Sequence, residues 1–86
     1  MTSESIDALA KRRLRAAADK AYASAVYDQA VIRATALGVP GALDADVRSA
    51  ASSLRQTRLG FEDARLDHER ALEAAVADVR EVVHAA

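Results

Sequence analysis

Glu81 and His84 are the first residues whose types and spacing suggest chemistry. A Glu-x-x-His pair sets a carboxylate and an imidazole on one face of a helix, the arrangement with which helical bundles hold carboxylate-bridged metals. Glu4 and Asp7 would approach them if the chain doubled back on itself. Such a centre needs several inward carboxylates on rigid helices. Here the motif occurs once, near a chain end where helices fray, so a solvated charge pair is the expected reading and a metal-binding bundle a minor alternative. No cofactor is expected.

Three polar residues, Arg58, Arg65 and His68, interrupt an apolar stripe between Leu54 and Leu72. They could bind an anionic ligand or recognise an acidic partner. The structural alternative is the stronger one: arginine stems cover apolar surface while their heads reach Asp19, Asp28 or solvent. A fixed polar layer of this kind can also set helix register. A third cluster, Lys11, Arg12, Arg13 and Arg15, invites a reading as a nucleic-acid contact. Against it stand a net charge of −1, the absence of stacking aromatics nearby and the acidic character of the chain's second half. A small helical regulator touching nucleic acid through Lys11 to Arg15 is kept as the alternative function.

For nucleophilic catalysis there is no constellation. Ser49, Ser52 and Ser53 have no histidine and acid in reach, there is no cysteine, and Gly38 and Gly41 end a helix instead of opening a phosphate loop. The chain is not expected to be an enzyme.

What positions these residues is the stretch Leu37, Gly38, Val39, Pro40, Gly41. Glycine takes the left-handed conformation that ends a helix, and proline lacks the amide hydrogen a helix needs while pushing Val39 out of the helical region. The predicted organisation is one domain over 1–86, with a helix over 3–37, a turn over 38–43 and a helix over 44–85. Thr2 or Ser3 would cap the first helix and Asp44 the second, with Asp46 adding negative charge at the positive end of the helix dipole. So short a connection makes the helices antiparallel neighbours. The predicted fold is therefore all-α, a long antiparallel hairpin of two helices, completing a four-helix bundle or coiled-coil assembly by oligomerisation.

Periodicity supports the same plan. Leu9, Ala16, Ala23, Ala30 and Leu37 follow a heptad line in the first helix, and Leu14, Ala21, Ala25 and Ile32 form a second line rotated from it. In the second helix Leu43, Val47, Leu54, Phe61, Leu72, Val76, Val79 and Val83 share a narrow arc. Folding at the turn sets position i opposite about 81 minus i, bringing the basic segment alongside the acids of the second helix.

The hydrophobic fraction is 51% but much of it is alanine, and aromatics make up 3%, so the seam between two helices buries little area. The remaining apolar faces need cover. The expected function is non-enzymatic: an interaction or assembly protein that self-associates, or docks on a protein partner, through a surface around Val26, Ala30, Ile32, Leu59 and Leu66. No segment is apolar and long enough to span a bilayer, the amino terminus is polar and acidic instead of signal-like, and a cytoplasmic location is expected. In length and layout the chain resembles the secreted helical hairpins of the WXG100 family, which pair into four-helix bundles; Leu37 to Gly41 stands where that family has its tryptophan-x-glycine turn. The alanine and arginine bias resembles that of small proteins from high-GC bacteria and their phages.

Overall fold

Ser5 begins the first helix. Its extended backbone leaves the helical region and its hydroxyl accepts the Ala8 amide at 3.1 Å, so α1 runs Ile6–Ala36 with Asp7 in the first turn at the positive end of the dipole. The computed structural model describes residues 5–85. The expected caps Thr2 and Ser3 lie outside that range, and the cap actually used is Ser5, the last of the early hydroxyl residues before an unbroken helical run.

The end of α1 is a full Schellman closure. Gly38 sits at φ +70°, its amide donates to the Thr35 carbonyl at 3.1 Å, and the Val39 amide donates to the Ala34 carbonyl at 2.9 Å. Gly38 is the single described residue with a positive φ, which is the reason a glycine stands there. Pro40 then opens one 3-10 turn over Gly41–Leu43, where its carbonyl accepts the Leu43 amide at 2.9 Å. Asp44 follows in extended conformation, its carboxylate accepting the Val47 amide at 3.0 Å, and α2 runs Ala45–Ala85. Asp44→Ala is expected to cost about 1 kcal/mol of helix stability, with Asp44→Asn recovering most of it. Thermal unfolding followed by circular dichroism at matched concentration would check this, and equal midpoints for all three chains would show that the cap contributes nothing.

The two helices lie antiparallel, with no strand among the described residues. The molecule measures 69 × 23 × 15 Å, two helices wide and one thick. Cross-helix partners fix the register: Arg33 with Asp46, Lys20 over the Phe61 ring, Arg13 with His68 and Glu69, Arg12 with Asp67. The residue numbers of each pair add to between 79 and 82, the register expected from the turn and the charge pattern.

Close approach replaces bulk in the core. Leu9, Val47 and Leu54 are the large buried side chains, and Ala23, Ala30, Ala34, Ala50 and Ala64 make up the remainder. Tyr27 and Val31 pack against the cluster of Ala30, Ala34, Val47 and Ala50 that seals the elbow. Alanine adds little apolar area but lets two backbones come near each other, which recovers dispersion contacts along the seam.

Candidate interaction surface

The expected surface residues do not form one patch. Ala30 is 3% exposed and belongs to the core, because the heptad line Leu9, Ala16, Ala23, Ala30 is the one that meets α2. Val26 and Ile32 are both exposed, but six residues of helix place them about 120° apart. Val26 borders an open groove of about 620 Å³ along one side of the hairpin, between Tyr22 and Gln29 of α1 and Ser49 and Ser53 of α2, with Ala23 and Ala50 in its floor. Ile32 belongs instead to the outer line with Leu14, 67% and 70% exposed, on the side of α1 turned away from α2. Leu59 and Leu66 lie on the corresponding outer side of α2. Apolar residues therefore surround the hairpin in separate lines, and the five residues named from the sequence sample three of them.

The polar layer has a different construction from the one expected. Arg65 does not reach Asp19 or Asp28. It donates to Glu62 at 2.7 Å and to both oxygens of Glu69 at 3.0 Å, along its own helix at the i−3 and i+4 positions where side chains meet. The hydrogen bond from Arg65 holds the Glu62 carboxyl below the usual glutamate range, and the two carboxylates push the Arg65 guanidinium up. Since the folded pKa of Glu62 is depressed, the pairing contributes at neutral pH and is lost as pH falls through that lowered value. Arg13 donates to Nδ1 of the half-buried His68 at 3.3 Å, which ties the layer across to α1. Arg58 is exposed.

Within the basic segment the cations have local carboxylates. Lys11 pairs with Asp7 at 3.0 Å, Arg12 with Asp67 and Arg13 with Glu69 at 3.9 Å, while Arg15 is exposed. Exposed pairs such as these are worth about 0 to 1 kcal/mol each, so they set register more than stability. Glu81 and His84 are exposed on the distal part of α2, beyond the reach of Asp7, which lies opposite about position 74 in this register. Glu4 lies outside the described residues, and among those described no group of three or more histidine, aspartate or glutamate side chains stands close enough to hold a metal ion. No described helix is long and apolar enough to cross a membrane.

Sequence reasoning also missed a surface. The stripe Leu72, Val76, Val79 and Val83 shares an arc with Val47 and Leu54, yet these residues are 40–66% exposed, because here α2 turns Ala71 and Ala75 toward α1, which starts at Ile6 and meets α2 only up to about position 75. The signal was available in the unequal lengths of the two helices, 31 and 41 residues. Compared with known proteins, the chain matches no family model, no characterised protein and no solved structure.

Proposed function

We propose that this chain is a non-enzymatic helical assembly protein that self-associates through the apolar helix faces its hairpin leaves open. The observation that carries this reading is an inversion of size: among the described residues fifteen large hydrophobic side chains are exposed, while five of the eight buried hydrophobic residues are alanine. The accessible surface is 6575 Å², whereas a compact monomer of this mass exposes about 4,900 Å². The excess, about 1,700 Å² on one chain, is more than the roughly 800 Å² per partner that a standard stable interface removes from water. Isologous pairing of hairpins is the simplest way to cover it. Docking on a helix of another protein would use the same faces. The ion pairs of Lys11, Arg12 and Arg13 with Asp7, Asp67 and Glu69 support a structural role for the basic segment and weigh against the nucleic-acid alternative.

Analytical ultracentrifugation at micromolar concentration is expected to give a species heavier than the 9.1 kDa chain. A monomer across the whole concentration range would remove the proposal. If the outer line of α1 takes part in the assembly, Ile32→Glu shifts the distribution toward smaller species, since burying a carboxylate against an apolar line costs several kcal/mol by order of magnitude. An unchanged distribution would take the outer line of α1 out of the assembly. Retention on heparin that falls steeply with salt would favour the nucleic-acid reading instead.

A further inference from the structure

The distal part of α2 differs from the other exposed lines in carrying its own charge pattern. Half-buried Ala71 and Ala75 mark the side that meets the start of α1. Leu72, Val76, Val79 and Val83 lie roughly a quarter turn around the helix from them, at four- and three-residue spacing, so they form one continuous face that α1 leaves open. Glu73 and Arg80 stand seven residues apart along one edge of this face, together with Leu72 and Val76 around a shallow depression in the helix surface. Upstream, Glu62, Arg65, Asp67 and Glu69 are joined in ion pairs within the hairpin, whereas Glu73 and Arg80 have no ion-pair partner among the described residues.

Resting on the self-association proposed above, we infer that this face is the dimer contact: Leu72, Val76, Val79 and Val83 pack antiparallel on the same face of a second copy. Charge decides the occupant and its direction. With a two-fold axis between Val76 and Val79, Leu72 meets Val83 of the other copy and Val76 meets Val79. Both edges carrying Glu73 and Arg80 then face each other, so each Glu73 meets the other copy's Arg80 and two symmetric ion pairs form. A parallel pairing would set the edge of Glu73 and Arg80 against the opposite edge of the second copy, where Ala75 and Val82 offer no counter-charge. The face ends upstream at the charged Arg65 and Glu69, so overlap is confined to the tails. The two hairpins extend in opposite directions from it, with each α1 a quarter turn away from the new contact.

Charge exchange tests this. Glu73→Arg and Arg80→Glu are each expected to weaken self-association by roughly tenfold, because both turn two attractive edges into repulsive ones. An equimolar mixture of the two variant chains is expected to recover the native affinity as a heterodimer. The residues lie beyond the seam, so helix content, and thermal unfolding measured at a dilution where every chain is monomeric, should be unchanged, separating a lost contact from a lost fold. Small-angle scattering supplies the shape: tail overlap of about sixteen residues makes a particle roughly 115 Å long, while side-by-side pairing of hairpins 69 Å long leaves the length near that of one chain. A native dimer of the shorter length, or a mixture that associates no better than the separate variants, overturns the tail contact alone. A native chain that stays monomeric overturns the assembly proposal with it.

Discussion

Leu54→Ala is expected to lower stability by about 3 kcal/mol and the unfolding midpoint by more than 10 °C. Leu54 is 6% exposed and is one of three large buried hydrophobic side chains among the described residues. Its neighbours along the seam are mostly alanines, which have no free rotamers with which to fill a vacated space. The lost transfer free energy is therefore accompanied by the cost of an unfilled volume, and the range for such truncations is about 2 to 5 kcal/mol. Water can enter from the sides of a structure two helices wide, which keeps the expected loss below the top of that range. A domain of this length is stable by only about 4 to 13 kcal/mol, so the loss is a large share of the whole. Leu59→Ala, at 63% exposure, is the matched control and should move the midpoint little in a monomeric background. Both variants must be compared at one protein concentration, because association raises apparent stability by mass action. Equal midpoints for the two would mean that Leu54 has no special place in the seam.

That contrast between two leucines five positions apart marks where sequence reasoning stops. The elbow was legible because glycine and proline act through their own backbones: Gly38 at φ +70° and the closure around it need no tertiary information. Asp44 was legible for the same reason, its carboxylate meeting an amide three residues on. Register followed from charge once the elbow was placed, since Arg12, Arg13 and Arg33 have few acids within reach on an antiparallel neighbour. The choice of Ser5 over Thr2 and Ser3 was not legible, because all three hydroxyls cap equally well in isolation.

Which apolar line of α1 faces inward was readable only in part. Leu9, Ala23 and Ala30 are buried on the first heptad line, but Leu37 on the same line is exposed because it stands at the helix end, where the chain has already begun to leave the seam. The side of Ile32 is apolar too, and a helix with alanine on most faces gives period without direction. Assigning Val26, Ala30 and Ile32 to one surface failed at that step: nearness in number is not nearness around a cylinder. The outward face at Leu72 to Val83 was hidden differently. Its residues share an arc with Val47 and Leu54, and only the structure shows that Ala71 and Ala75 take the seam there and that α2 outruns its partner.

Ala34→Leu carries the opposite experiment, adding bulk to the seam. Ala34 is 2% exposed, the most enclosed side chain of the buried set, and sits with Ala30, Val47 and Ala50 beside the elbow. Two effects compete there. Burying the added leucine carbons would contribute about 2 kcal/mol if space existed. Forcing them between closely approached backbones costs about 1 to 3 kcal/mol in displaced rotamers and backbone shifts. The cost should win at this position, because α1 cannot slide or tilt away to make room: the Ala34 carbonyl already accepts the Val39 amide, and Asp44 fixes the start of α2 only a few residues further on. The transfer gain is then not realised. Net destabilisation of about 2 kcal/mol is expected, read as a lower unfolding midpoint with little change in helix content before the transition. The same substitution at exposed Ala36, two residues on, should be nearly neutral, since leucine and alanine differ little in helix propensity and nothing is overpacked there. An Ala34→Leu chain more stable than the native one would show room between the helices, and the claim that close backbone approach substitutes for bulk in this seam would fail with it.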